Sequence, residues 1–305
     1  MQILVLGGTR FIGRHLVTEA LARGHEVTLL CRARTPSPFV GIVRHVVTDR
    51  RAPTEEARHV LAEAWDAVID TCAADVDDLR PTTPLLRGAG TYVLLSSCGV
   101  YRPGTTRLTE RSATIHAELT NPTRASATRK LRCERYLTRH IARAGGRLLV
   151  ARLGVVVGAY DYSDRLAYWL ERALRGGELL VPMHPEQPLQ LIDAHDVARF
   201  LLDTTASTLT GVVNVAGPHG TARVVIDAIT ECAGGLAVPQ WVGEDFALHH
   251  GLRPWTQVPL WLASSTPERA LMNVDSSLAV AAGLTYRPLS DTLTDCLTWQ
   301  SVRRD

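Results

Sequence analysis

Short apolar runs alternate with amphipathic segments through the first half of the chain. ILVLG (3–7), VTLLC (27–31), VRHVVT (43–48), AVIDTC (67–72), YVLLSS (92–97) and LLVARL (148–153) read as strands. Their β-branched, nearly unbroken apolar character suits strands covered on both faces. Helical spacing fills the gaps, over residues 12–23, 54–64, 76–88 and 125–144. Strands alternating with helices of this length build βαβ units, whose right-handed crossovers give a doubly wound parallel sheet. After Gly158 the rhythm changes: a helix over 163–174 ends at Gly176-Gly177, and a proline-rich stretch leads to a helix starting at Asp193. GVVNVAG (211–217) reads as a returning strand, and the remainder mixes short helices with Trp- and Pro-rich loops. The pattern therefore predicts a core over 1–158, with 189–217 returning to the sheet. A smaller substrate-binding region is expected from 159–188 and 218–305.

Composition narrows the function classes without choosing one. The 305 residues carry a formal charge of +2, with 46% hydrophobic and 21% charged residues. That is ordinary globular usage. So weak a net field, with no basic-aromatic surface pattern, argues against nucleic acid as a partner. No apolar run reaches membrane-spanning length, because RLLVARLGVVVGAY is cut by Arg152. The six cysteines are scattered, with neither a CxxC pair nor metal-ligand spacing, and a reduced cytoplasmic protein is expected. No metal site is expected; Asp193 and Asp196 read more simply as a helix cap and a first-turn acid.

The chemistry begins directly after the first strand, with Gly7-Gly8-Thr9-Arg10-Phe11-Ile12-Gly13 opening the first helix. Glycines there permit a tight turn and close approach to a pyrophosphate, and the helix N-terminus offers free N–H donors. A glycine cluster alone is weak; between strand one and helix one it reads as a Rossmann-type dinucleotide site. Arg10 stands where a second phosphate-loop glycine normally sits. The second strand ends in Cys31-Arg32-Ala33-Arg34, without the carboxylate that bonds a ribose 2′-hydroxyl in NAD-selective sites. With Arg10, Arg32 and Arg34 available to a 2′-phosphate, NADP(H) is expected over NAD(H). The plainer reading makes Arg32 and Arg34 solvated loop charges. Asp49, past the third strand, is placed to reach the adenine amino group, and Cys72-Ala73 to line the adenine-ribose side.

These residues resemble the extended or atypical short-chain dehydrogenases, also called NAD-dependent epimerase/dehydratases. They are most similar to an actinobacterial-type subgroup with a GGTRFIG phosphate loop. The resemblance covers nearly the whole chain, through ILVLGGTRFIGRHLV, WDAVIDTC, VLLSSCGVY, RKLRCE, PLQLIDAHDVARFL, GVVNVAGP, PWTQVPLWL and AAGLTYRPLSDTLTDCLTW. It implies a Ser or Thr after the fifth strand and a YxxxK pair on the next helix. The hydroxyl holds the substrate oxygen, Tyr moves a proton, and Lys bonds the nicotinamide ribose and lowers the Tyr pKa. Ser97 matches the hydroxyl and Lys130, the only lysine in the chain, matches the lysine. The tyrosine position holds Ser126.

A serine hydroxyl is shorter than a phenol and a far poorer acid, phenol having a reference pKa near ~10. Three readings stay open. Another group supplies the proton, with Tyr101 the nearest candidate and Tyr160 and Tyr162 behind it; Tyr101 read plainly is a pocket-wall aromatic. Alternatively the reaction needs no such acid, or the protein is a catalytically silent dinucleotide-binding sensor or scaffold. Arg152 is expected at the cleft edge, offering its charge to an anionic substrate. The expectation is thus an NADP(H)-dependent oxidoreductase or epimerase/dehydratase-like enzyme. Its substrate would be a hydroxyl- or carbonyl-bearing small molecule, a sugar derivative or specialised metabolite. Many members of the resembled family form homodimers.

Overall fold

The computed structural model describes residues 1–86, 88–116, 125–143 and 145–304. Seven strands form one all-parallel sheet: β1 (Gln2–Leu6), β2 (Glu26–Cys31), β3 (Arg44–Val47), β4 (Trp65–Asp70), β5 (Ala89–Ser97), β6 (Arg147–Leu153) and β10 (Gly211–Val215). Their spatial order is β3-β2-β1-β4-β5-β6-β10. Reversal of strand order beside β1 opens a crevice at the carboxyl ends of β1 and β4, where doubly wound sheets bind ligands. Both faces are covered because alternate side chains point opposite ways. Ile3 and Val5 join Val27, Leu29 and Val93 under α1 (Phe11–Ala22) and α6 (Ala194–Ala206). Leu4 and Leu6 join Leu30, Val68 and Leu94 under α2 (Glu55–Leu61), α3 (Val76–Leu79) and α4 (Ala125–Arg143).

Local signals set most boundaries. Thr54 caps α2 by accepting from the Ala57 amide, and Asp193 caps α6 by accepting from His195. The helix expected over 76–88 is instead broken: α3 stops after one turn and a 3-10 turn covers Thr83–Leu85. Pro81 and Pro84 are the cause, since neither has an amide hydrogen and each crowds the preceding turn. The expected helix over 125–144 is observed as Ala125–Arg143, and residue 144 lies outside the described residues.

A second apolar core gathers α5 (Arg165–Leu174), β8 (Gly177–Val181), α7 (Ala222–Cys232), α8 (Glu244–His249) and α10 (Leu289–Arg304) around the buried Trp169 and Trp261. β8 pairs in parallel with β11 (Ala237–Trp241), and β7 (Val155–Val157) with β9 (Leu191–Asp193). These four short strands lack a strong sequence signal. Not all of the C-terminal segment joins the second core. α9 (Ser277–Ala281) puts Ala279 into the core under α1 and α6, and Ser276 Oγ donates to Ala216 O.

A buried charge stands at the carboxyl end of β4. Asp70, fully buried, accepts two hydrogen bonds from Arg50, at 2.8 and 2.7 Å, and one from Tyr92 Oη at 2.6 Å. It also accepts from the amides of Cys72 and Ala73, at 3.1 and 2.9 Å. Burial by itself raises a carboxyl pKa, but the Arg50 charge and its hydrogen bonds outweigh it, so Asp70 sits below its ordinary value.

Asp70→Ala strands the buried Arg50 guanidinium and should cost about 3–5 kcal/mol in chemical denaturation. A folded-state pKa below the unfolded one stabilises the protein above the unfolded value, near ~3.9, and that contribution fades as pH falls below it. The stability gap between wild type and variant should therefore be constant at neutral pH and narrow only under acid conditions.

Candidate dinucleotide and active site

The first glycines are required by space as well as by backbone angle. Gly7 has φ +103°, and a Cβ there would fall 2.3 Å from Thr71 Oγ1. Gly8 has φ +93°, and its Cβ would fall 2.7 Å from Leu29. At Gly13 a Cβ would meet the backbone of Gly8 at 2.8 Å, so α1 lies directly against the turn. Arg10 takes the N-cap position without a side-chain cap, and the first turn of α1 carries no acidic residue. Its leading amides, from Phe11 and Ile12 onward, are left for an anion at the positive end of the helix. The shape and chemistry of this cradle fit a diphosphate.

Around this turn the expected cofactor residues are distributed unevenly. Cys72 and Ala73 sit on the turn that Asp70 organises, beside Gly7. Arg32 and Arg34 are exposed on either side of Ala33, which has φ +49°. Asp49 is exposed, and Oδ1 accepts from the Arg51 amide at 3.0 Å, shaping its own turn. The Arg10 guanidinium stacks 4.1 Å from the ring centroid of Tyr162, a residue 152 positions on.

The carboxyl end of β5 and the start of α4 carry the remaining groups. Ser97 ends β5 and accepts from the Gly99 amide at 3.0 Å, capping the short 3-10 turn Cys98–Val100. A Cβ on Gly99 would lie 3.3 Å from Ser97 Oγ and 3.9 Å from Ala127 Cβ, so this turn abuts the first turn of α4. Lys130 donates from Nζ to Leu95 O at 2.7 Å, tying α4 to β5 two residues before Ser97. Burial pulls the Lys130 pKa below its ordinary value, while the Asp70 charge opposes the fall. Ser126, one helical turn before Lys130, is exposed.

One expectation changes here. Arg152 is not at the cleft edge. It is buried in β6 and donates to Glu134 through Nε at 3.1 Å and Nη2 at 2.7 Å, so its charge is already neutralised. Glu134, on α4, also accepts from Ser96 Oγ at 2.5 Å. Tyr101 is 3% exposed and donates from its hydroxyl to Asn214 Oδ1 at 2.6 Å, with Arg152 4.7 Å from its ring centroid. Burial pushes its pKa up to about 12. In this geometry the Tyr101 hydroxyl is engaged inside the protein.

Sequence reasoning missed Arg50, Asp70 and Glu134. The terminal Asp of WDAVID and a Glu on the apolar face of RKLRCE were the available signals, but their partners lie 20 and 18 residues away and carry no local mark.

A doubly wound sheet with a glycine turn at its topological switch point defines a Rossmann-type protein. Residues 3–216 match the NAD dependent epimerase/dehydratase family, and the chain belongs to that family. The chain is 29% identical over 212 residues to 2′-dehydrokanamycin reductase of Streptomyces kanamyceticus, covering 68% of this chain and 58% of that protein. It is 30% identical over 113 residues to the chloroplast stem-loop binding protein of 41 kDa b of Arabidopsis thaliana, covering 33% and 30%. The chain thus spans less than two thirds of the length of these curated relatives. The UDP-glucose 4-epimerase of Thermus thermophilus, solved in complex with NAD, superposes with a TM-score of 0.67 at 21% identity, over 98% of each chain. Among the described residues no helix is long and apolar enough to cross a membrane.

Tyr101→Phe removes one buried hydrogen bond and should lower stability by roughly 1–2 kcal/mol, read by thermal unfolding. A wall residue predicts that cofactor affinity and turnover survive the change. A proton donor predicts a loss of roughly 10²-fold or more in turnover.

Proposed function

We propose that the protein is an NAD(P)-dependent enzyme of the short-chain dehydrogenase/reductase type, with NADP(H) preferred. Its substrate is a hydroxyl- or carbonyl-bearing small molecule, a sugar derivative or specialised metabolite. The observation that carries the reading is Lys130. The chain's only lysine is held at the carboxyl end of β5 by a 2.7 Å hydrogen bond to Leu95 O, beside the crevice that the phosphate turn opens. One relative being named a reductase favours carbonyl reduction as the direction.

A bound nicotinamide would supply or accept hydride. The chain's own residues have narrower tasks. The amides after Arg10 and the glycine turn hold the diphosphate, and Cys72-Ala73 lines the adenosine side. Arg32 and Arg34, at the end of a strand that carries no terminal carboxylate, favour the 2′-phosphate. Lys130 places a positive charge at the nicotinamide ribose, and Ser97 hydrogen-bonds the substrate oxygen. Ser126 is too short and too weak an acid to take a phenol's place. A second reading has its own support: with Ser126 exposed and the Tyr101 hydroxyl engaged, no phenol on these positions is free to move a proton. On that reading the protein is a dinucleotide-binding sensor.

Titration with NADPH and NADH, followed by tryptophan quenching and nicotinamide fluorescence, tests the proposal. NADPH should bind in the micromolar range and NADH more weakly. Lys130→Ala should weaken both by about 10- to 100-fold, the contribution of a charged hydrogen bond, and abolish turnover. Binding without turnover across a carbonyl panel favours the sensor. Failure to bind either dinucleotide overturns both readings.

A further inference from the structure

The segment between β7 and α5 lies against the phosphate turn and is fixed there by more than its own chain requires. Arg10 stacks on Tyr162 at 4.1 Å, and Arg14, one turn along α1, stacks on Tyr160 at 3.7 Å. Phe11 meets the Tyr162 ring edge-on at 6.4 Å, and His15 Nε2 bonds Ala159 O at 3.0 Å. On the other side Tyr160 packs on Trp299, while Asp164 pairs with Arg303 at 2.7 Å. Three non-glycine residues along this seam take positive φ: Phe11 at +39°, Tyr160 at +66° and Asp164 at +53°. Backbone held in such conformations on both sides of one contact is over-determined by its surroundings, as functional sites are.

Tyr162 stands at the surface of this segment. Its side chain is 63% exposed, and burying it is not what holds the segment. What it does is fix the direction of a long, exposed guanidinium that replaces a phosphate-loop glycine. The direction is informative. The segment begins at Gly158, where a Cβ would lie 3.5 Å from the Ala194 amide at the head of α6, and it reaches α1 from that side. Sheet order puts β2, whose end carries Arg32 and Arg34, on the other side of β1 from β4, β5 and β6. The stack therefore draws Arg10 toward the crevice and away from the end of β2.

We infer that Tyr162 is a positioning residue of the dinucleotide site, seating Arg10 on the bridging diphosphate that NAD(H) and NADP(H) share, not on the 2′-phosphate that distinguishes them. The inference rests on the dinucleotide reading above. It makes the segment after β7 part of the cofactor site and leaves cofactor choice to Arg32 and Arg34.

The test is a set of binding titrations on the full chain with NADPH, NADH and ADP, the last carrying adenosine and diphosphate without the 2′-phosphate or the nicotinamide. Arg10→Ala should weaken all three by about tenfold. Tyr162→Ala should weaken all three by roughly 2- to 5-fold, the contribution of an exposed cation–π contact. Tyr162→Phe keeps the ring and should restore wild-type affinity. Tyr162→Leu keeps apolar bulk against Phe11 without a π face and should behave like Tyr162→Ala. The double variant should bind no worse than Arg10→Ala, because Tyr162 acts only through Arg10. Wild-type binding with unchanged Tyr162 variants, additive losses, or a loss confined to NADPH would overturn the inference and leave the dinucleotide reading standing. A wild-type chain that binds none of the three removes both.

Discussion

A carboxylate stripped of water at the end of a central strand must be fully satisfied by protein, and Asp70 is satisfied by five donors. Two come from Arg50 and one from Tyr92, which ties the turn after β3 to β4 and β5. Two come from the amides of Cys72 and Ala73, and these set the path of the chain beside the glycine turn. The same charge reaches Lys130, where it opposes the loss of the ammonium proton that burial favours. Replacing such a cluster with apolar groups often costs little, whereas removing one member leaves a buried ion alone. The cluster's role is geometric: it fixes a loop that has no regular structure of its own.

A second buried pair plays a comparable part across the crevice. Glu134 on α4 takes both a bidentate grip from Arg152 on β6 and a hydrogen bond from Ser96 on β5. Three elements that converge on Ser97 and Lys130 are thereby held in register. Arg152 in turn lies over Tyr101, whose hydroxyl closes onto Asn214 of β10. β5, β6 and β10 are thus joined to α4 by one buried polar network.

How far the sequence was legible follows from the range of each interaction. The period of apolar residues, the glycine turn and the Asp193 cap are each written within about one element of chain, and the fold and the cradle could be read from them. Pro81 and Pro84 were equally visible, and the helix they break was overestimated because its apolar spacing continued through them. Arg152 was misplaced for the opposite reason. An arginine near the end of an apolar strand looks exposed until its partner, 18 residues earlier on a helix, is brought beneath it.

The sequence by itself determined a parallel α/β sheet and a glycine turn at the head of α1, because backbone sterics and apolar periodicity act locally. Tertiary structure alone decided which charges are neutralised inside the protein. Arg50 and Arg152 are paired with Asp70 and Glu134, while Arg32 and Arg34 stay in solvent. It alone brought Tyr162 to Arg10 across 152 residues. Charge pairing and ring stacking depend on distance in space, and one chain's separation along the sequence says nothing of that.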